Sequence, residues 1–209
     1  TTSGRRSPIK PSGLCRPTAD GDDGGLDRAA VPPSNRRDFA AGGPGSGMDG
    51  DRRTARLSDS HTEMTELLMP DDTNELGRAL GGVVLHWMDI CGAIAAMRFT
   101  ASQCVTASID HVDFHAPIAI GEVATVRAYV FDTGRTSVEV KVDVTAENPR
   151  TGETRDATDS FLTYVAVDDD GRPTEVPGLD CPTDAEHQHR EAAIEERQDR
   201  LDALLARLE

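Results

Sequence analysis

Lysine is almost missing from this sequence, which has 209 residues and only two lysines, Lys10 and Lys141. Aspartate and glutamate number 37, and the formal net charge is -15 with a pI of about 4.7. Such a chain lacks the excess of basic residues on which general nucleic-acid binding and anionic-membrane binding depend. We therefore expect neither nucleic acid nor a membrane as a partner. The acidic, lysine-poor composition also resembles that of proteins adapted to high salt, with an ordinary acidic soluble protein as the alternative.

Cysteine is scarce and is not arranged for metal binding. No C-x-x-C pair occurs, and no histidine follows a cysteine at a spacing typical of zinc sites. His111 and His115 flank Asp113, but no other metal-ligating pattern lies near them. The sequence thus predicts no metal site and a protein with reduced thiols; its cysteines are Cys15, Cys91, Cys104 and Cys181.

Large apolar residues are rare in residues 1–60, which hold ten of the nineteen glycines and six of the twelve prolines. A segment of this composition buries too little surface to offset the entropy cost of ordering it, so we predict a disordered leader. The twin arginine Arg5-Arg6 is not followed by the apolar run of a secretory signal. These features favour a cytoplasmic location.

Only one long apolar run is present, from Gly81 to Met97. Its apolar residues cover nearly the whole helical circumference, which predicts a helix from about Leu80 to Phe99 that is buried on all sides. The run is a weak candidate for a membrane span, because it carries His86 and Asp89 and leads directly into strand-like sequence. An ionisable acid in the middle of a buried helix is costly without a partner or a function, so Asp89 is the first candidate for chemistry.

The helix is preceded and followed by strand-like sequence. A first strand at 62–69 ends at Pro70, and residues 138, 140, 142 and 144, all valine, show strict period-two alternation. We predict an α+β domain over residues 61–178, in which four consecutive strands form an antiparallel meander around the helix. Residues 179–209 are predicted to be a linker and an amphipathic helix that docks on the domain or on a neighbouring subunit. The four predicted strands after the helix are 105–114, 122–131, 136–146 and 156–167.

Several spaced motifs resemble one family. The loop LMPDDTNELG at 68–77 is followed by Gly81-Gly82 and by MDICGAIAA at 88–96. Further along come the strand at 109–117, the hairpin GRTS at 134–137 and the closing strand at 161–168. In this order they resemble the hotdog-fold acyl-CoA thioesterases of the YciA/BACH type, over about residues 64–178. The resemblance implies a hotdog fold, in which an antiparallel sheet of five or more strands wraps a long central helix.

The resemblance also implies an activity and a site. The expected reaction is hydrolysis of acyl-CoA to a carboxylic acid and CoA, with no cofactor apart from the CoA of the substrate. Asp89 would be the catalytic carboxylate, acting as general base on water or as nucleophile. Asn74 would orient the water or the substrate carbonyl from the facing protomer of a homodimer, which the family analogy extends to a trimer of dimers. The hairpin would contribute to binding the CoA nucleotide; its residues are Gly134, Arg135, Thr136 and Ser137.

General physical arguments agree with parts of this assignment. The backbone N–H groups near Gly81 and Gly82 lie at a helix start, where free donors and the positive end of the dipole polarise a carbonyl. The Arg135 guanidinium suits a phosphate. An unpaired edge of the wrapped sheet can also pair with a second copy.

The sequence leaves alternatives open. Asp89 could be a structural buried acid, and Asn74 could be an ordinary turn cap. His86 has no counterpart in the family motif and is interpreted as a packing or interface residue. The alternative function is a non-catalytic hotdog module that binds acyl-CoA as a sensor. A hotdog hydratase is disfavoured because the chain lacks that family's histidine motif.

Overall fold

The computed structural model describes residues 52–207, which form a mixed α+β domain. A single turn of 3-10 helix at Pro70–Asp72 lies between the strand that ends at Leu67 and the helix that begins at Gly81. The elements in chain order are β1 Thr54–Arg56, α1 Leu57–Ser60, β2 Thr62–Leu67, α2 Gly81–Thr100, β3 Gln103–Ile109, β4 Asp113–Phe114, β5 Val123–Thr133, β6 Ser137–Asn148, β7 Glu153–Val167, β8 Gly178–Asp180 and α3 Asp184–Ala206.

The central helix α2 is the predicted apolar run, displaced by only one residue at each end. Leu80 before it is extended, and Ala101 after it adopts the left-handed conformation with φ 55° while its N–H donates to Met97 O. Arg53 Nη2 donates to Thr100 O at 3.1 Å, which satisfies one of the free carbonyls at the helix end. By length and apolarity alone α2 could cross a membrane, but it packs into the sheet as the core helix of a globular domain does.

The main sheet is antiparallel and curls around α2, which confirms the predicted α+β hotdog architecture. Its strand order is β2-β5-β6-β7-β3, and β4 adds to β7. The valines at 138, 140, 142 and 144 are at most 1% exposed, so the period-two side of β6 faces the core as predicted.

The predicted four-stranded meander is wrong in one respect. β5, β6 and β7 follow one another as neighbours, but β3 crosses to the far side and pairs with β7. The predicted strand 105–114 is also divided, because the chain leaves the sheet between Ile109 and Asp113. The physical reason is that β2 pairs with the outer side of β5, so no edge is free there. The strand after the helix therefore pairs at the opposite edge of the sheet, with β7.

Within one chain α2 is not buried on all sides, contrary to the prediction. Ile90 and Met97 on the helix are 37% and 39% exposed. The sheet covers only part of the helix circumference, and the uncovered side lies beside β3, where Ile109 is 41% exposed. One side of the core is therefore an open apolar surface.

The predicted domain boundaries are wrong at both ends. β1 pairs in parallel with β8, so residues 54–56 and 178–180 belong to the folded unit. Leu57 is fully buried, and Ser60 Oγ accepts a hydrogen bond from Val130 N at 2.9 Å. Sequence composition missed these contacts because the segment is short and arginine-rich. The rest of the predicted leader, residues 1–51, lies outside the described residues.

The C-terminal helix α3 docks on the outer face of the sheet. Thr183 and Glu186 form a reciprocal capping box at its start. Ala193 packs against Phe131 and Phe161, whose rings meet edge-on with centroids 5.4 Å apart. Docking on the domain is one of the two outcomes the sequence predicted for this helix.

Candidate active site

Asp89 lies midway along α2 and is half-buried. Its Oδ1 accepts a hydrogen bond of 2.6 Å from Thr106 Oγ1 on β3 and a longer one, 3.4 Å, from Tyr164 Oη on β7. Its Oδ2 has no hydrogen-bond partner among the described residues. The carboxylate is thus held by one oxygen and has the other available.

The carboxylate lies at the open side of the core. Its partner Thr106 is exposed, as is Ile90, the residue next to Asp89. Exposed Ile109, which pairs with the core residue Leu162, continues the same surface along β3. Asp89 is therefore accessible from the uncovered side of α2 and is not sealed inside the domain.

Asn74 lies in the loop before α2, and its side chain organises that loop. Its Oδ1 accepts hydrogen bonds from Leu76 N at 2.9 Å and from Arg78 N at 3.2 Å. The turn-cap role considered from the sequence is therefore real. Because the oxygen is engaged with the backbone, the Nδ2 amino group is the end that remains free to donate.

A cavity of about 290 Å³ adjoins this loop and the start of α2. Its walls are mainly apolar, and among the lining residues the charged or titratable side chains are Arg78 and His115. Asn74 and Gly81 share the cavity, whereas Asp89 does not line it. The lining residues are Asn74, Arg78, Ala79, Gly81, Val84, Phe114, His115, Ala116, Pro117, Ile118, Ala157 and Thr158.

Gly81 and Gly82 form the first turn of α2, and both are exposed. Among the described residues their N–H groups have no hydrogen-bond acceptor, and no side chain caps this helix start. A Cβ on Gly81 would lie 3.4 Å from the Phe114 ring, so a side chain here would crowd the cavity. Asp89 is eight residues further on, about 12 Å along the axis at 1.5 Å per residue. The two parts of the predicted site are therefore separated within one chain.

The hairpin Gly134–Ser137 lies elsewhere, between β5 and β6. It is fastened to the end of β7 through Ala166 N, which donates to Thr136 O at 3.0 Å. Arg52 Nη2 donates to Gly134 O at 2.6 Å. The Arg135 side chain is 79% exposed, with Glu175 at 3.8 Å. The structure does not bring this hairpin into the cavity with Asn74 and Gly81.

The remaining titratable candidates have structural partners. His111 Nε2 pairs with Asp113 Oδ1 at 3.1 Å, and His115 Nε2 with Asp159 Oδ1 at 3.0 Å. Over residues 52–207 no three metal-ligating side chains come together.

Burial raises the pKa of Cys91 to about 11, so this thiol two residues after Asp89 stays protonated at neutral pH and is a poor nucleophile. His86 is exposed on the helix.

Sequence reasoning missed Thr106 and Tyr164. Threonine and tyrosine are ordinary strand residues, and neither lies near Asp89 in the chain. Only the pairing of β3 with β7, and the packing of β7 on α2, places both hydroxyls beside the same carboxylate.

Comparison with known proteins identifies the class. Residues 76–153 match the thioesterase superfamily. An uncharacterised acyl-CoA thioester hydrolase of Bacillus subtilis, YkhA, is 35% identical over 147 residues, which span 70% of this chain and 86% of that protein. The chain therefore belongs to the thioesterase superfamily, among the hotdog-fold acyl-CoA thioester hydrolases.

Solved structures make the likeness more specific. A hexameric acyl-CoA thioesterase is 40% identical with a TM-score of 0.66, over 73% of this chain and 97% of that one. An acyl-CoA hydrolase of Staphylococcus aureus, solved with butyryl-CoA and CoA, is 32% identical with a TM-score of 0.64, over 73% and 93%.

Three further structures of the Staphylococcus aureus hydrolase are alanine variants of an asparagine, an aspartate and a threonine. The aspartate follows the asparagine by 15 residues, and the threonine follows the aspartate by 17. Asn74, Asp89 and Thr106 have the same residue types at the same spacing in this chain.

Proposed function

We propose that this protein hydrolyses acyl-CoA thioesters to a carboxylic acid and free CoA, with Asp89 as the catalytic carboxylate. The observation that carries the proposal is the arrangement of this side chain, with Oδ1 held by Thr106 and Oδ2 free on an open face of the core helix. The asparagine, aspartate and threonine that were replaced in the Staphylococcus aureus hydrolase support it, because the same three types recur here at equal spacing.

The free oxygen of Asp89 can act in two ways. As a base it takes a proton from water while the water oxygen forms a bond to the thioester carbon. As a nucleophile it forms that bond itself, and water then hydrolyses the resulting anhydride. In both routes the C–S bond breaks and the CoA sulfur leaves as a thiolate that takes a proton from solvent. After a single turnover in ¹⁸O-labelled water, label in Asp89 would identify the nucleophilic route, with water attacking the Asp89 carbon of the anhydride, and trapping of the anhydride with hydroxylamine would detect the same route when water attacks the acyl carbon.

The start of α2 supplies the electrostatic partner for the carbonyl. The N–H groups of Gly81 and Gly82 lack acceptors in the described part of the chain, and the positive end of the helix dipole favours the developing oxyanion. Asn74 adds its Nδ2 as a donor to the carbonyl or to the water, since its Oδ1 is engaged in the loop.

The site is completed by a second copy of the chain. Within one protomer Asp89 lies outside the cavity that Asn74 and Gly81 share, so we place these groups on opposite sides of a dimer interface. The exposed apolar residues on α2 and β3 form the surface that a partner would cover, and β3 has an unpaired edge within residues 52–207. Trimers of such dimers extend the proposal to a hexamer, the state named for one of the solved relatives.

Two peripheral features complete the proposal. The hairpin Gly134–Ser137 binds the CoA nucleotide, and the exposed Arg135 guanidinium contacts a phosphate. Arg135→Ala is then expected to raise KM for acyl-CoA while kcat stays the same. Cys91, Cys104 and Cys181 are all free thiols, which supports a role in the acyl-CoA metabolism of the reducing cytoplasm.

The direct test is thiol release from acyl-CoAs of several chain lengths. Wild type is expected to release CoA. Asp89→Asn should lower kcat by about 10³-fold or more, since a carboxylate that acts as base or nucleophile has no substitute in an amide. Thr106→Val should have a smaller effect. Asp202→Asn is the matched control, because that carboxylate lies on α3 and, within residues 52–207, accepts only from Gln198. Tight acyl-CoA binding without release would instead favour the sensor function.

The shared site is tested by mixing two inactive variants. Asp89→Ala and Asn74→Ala are co-expressed with different tags, so that random pairing makes half of the dimers mixed. If each site takes Asp89 from one protomer and Asn74 from the other, every mixed dimer regains one site, and activity returns to about a quarter of wild type. No recovery in the mixed dimers would show that both residues serve the site of their own chain.

A further inference from the structure

Tyr164 is a buried tyrosine on β7 whose hydroxyl contacts two atoms of Asp89. It donates to the backbone oxygen of Asp89 at 2.9 Å and lies 3.4 Å from the carboxylate Oδ1 of Asp89. The side chain is fully buried and packs in the core with α2. A donor that bonds to both main chain and side chain of one residue restricts the rotation of that side chain.

The helix has a gap that admits this hydroxyl. Gly92 faces Tyr164, and a Cβ built on Gly92 would lie 2.4 Å from Tyr164 Oη and 3.1 Å from two atoms of its ring. Any larger residue at position 92 would force the phenol away from the helix. A glycine in the interior of a helix costs about 1 kcal/mol relative to alanine. A specific close approach accounts for its presence.

The environment keeps Tyr164 protonated. Burial raises its pKa well above the usual range, and the charge of the neighbouring Asp89 and the hydrogen bond to it raise it further. The hydroxyl is therefore a fixed donor at every pH at which the enzyme works. Thr106 donates directly to Oδ1, and Tyr164 shares its one proton between the backbone oxygen of Asp89 and Oδ1, which leaves Oδ2 as the oxygen that reacts.

We infer that Tyr164, seated in the gap at Gly92, is a positioning residue that aims the Asp89 carboxylate for thioester hydrolysis. The inference rests on the proposed role of Asp89 as catalytic carboxylate. Tyr164 contacts Asp89 and does not line the described cavity, so it acts through that side chain.

The main variant is Tyr164→Phe, which keeps the ring and removes the hydroxyl. Its kcat should fall about tenfold, the size expected for one hydrogen bond to a charged group, with KM nearly unchanged. The acid limb of the kcat profile should move to higher pH, because a carboxylate that has lost a donor accepts a proton more readily. Tyr129→Phe is the matched control: Tyr129 is the other tyrosine of the chain, and among the described residues its hydroxyl bonds only to His189 O, at 3.5 Å.

A second variant separates an effect on the orientation of the Asp89 carboxylate from an effect on protein stability. Gly92→Ala displaces the phenol, so it should reproduce the loss of kcat. When Gly92→Ala is added to Tyr164→Phe, the new methyl group still contacts the ring, so the melting temperature should fall further. The kcat of this double variant should equal that of Tyr164→Phe alone. Additive losses of kcat would overturn the inference, as would a Tyr164→Phe enzyme with the kcat and pH profile of Tyr129→Phe.

A measurement that needs no turnover keeps this inference distinct from the proposed function. The carboxyl ¹³C resonance of Asp89 is titrated by NMR in wild type and in Tyr164→Phe. A midpoint displaced to higher pH in the variant supports the positioning role, even if the protein releases no thiol from any acyl-CoA. Identical midpoints would refute it, whereas failure of Asp89→Asn to reduce thiol release would refute the proposed function.

Discussion

Arg197→Met on the C-terminal helix tests what holds α3 to the sheet. Arg197 Nη1 lies 2.9 Å from Oε2 of Glu139, and its Nε donates to Asp110 Oδ2 at 3.0 Å. Thr163 Oγ1 donates to Glu139 Oε2 at 2.8 Å, while Oε1 is buried without a partner among the described residues. The Glu139 side chain is 4% exposed, so the variant leaves a buried carboxylate with one hydroxyl donor.

The magnitude follows from this burial. Removing one partner of a buried ion pair costs about 3–5 kcal/mol, and the 23% exposure of the Arg197 side chain places this pair near the lower end, about 3 kcal/mol. For a chain of this size that is about 6–12 °C in melting temperature. Methionine keeps an unbranched apolar stem of similar length, so the lost charge dominates the effect.

The pH dependence has a definite sign. Burial raises the pKa of Glu139, against the lowering effects of Arg197 and Thr163, while Asp110 and Asp132 raise it further. A carboxyl group with a raised folded pKa contributes its full stability below its ordinary value of about 4.5 and loses it as pH rises. Removing Arg197 raises the folded pKa again, so the variant should lose more stability at pH 7.5 than at pH 5.

The assay is urea unfolding at fixed protein concentration and at both pH values. Glu139→Gln combined with Arg197→Met should recover most of the loss at pH 7.5, because the buried charge is gone. Arg172→Met, at an exposed pair with Asp170, is the control and should change stability by less than about 0.5 kcal/mol. Equal losses at the two pH values, or a double variant no more stable than Arg197→Met, would contradict the reasoning.

Three further outcomes are expected. Leu57→Ala should cost about 2–5 kcal/mol in urea unfolding, because the side chain is fully buried; a cost near zero would show that this segment does not support the core. The Thr183 side chain, with donors at Ser58, holds the pKa of Glu186 at about 2, despite the opposing effect of burial. The stability this contributes should be lost as pH falls from about 4.5 towards 2, and Thr183→Ala should flatten that part of the melting-temperature curve. Raising KCl from about 0.1 to 1 M should raise the melting temperature by screening the net charge of -15, and an unchanged or lower value would contradict adaptation to salt.

The sequence determined the elements of this protein and their chemistry. The apolar run around Asp89 defined α2 to within one residue, and the alternating valines defined the inner side of β6. Both patterns are local, because side chains three or four residues apart share a helix face and side chains two apart share a strand face. The glycines at the helix start and the asparagine before it were singled out by their place in motifs that resemble the thioesterase family.

Only the tertiary structure decided what surrounds Asp89. The crossing of β3 to the far edge brought Thr106 to the carboxylate, although Thr106 is 17 positions away in the chain. The gap at Gly92 admitted Tyr164, which is 75 positions away from Asp89. The docking of residues 54–60 on the domain and the exposure of one side of α2 could likewise not be predicted from local sequence patterns. Strand order and register depend on which distant edges remain free for pairing, and no period along the chain encodes that choice.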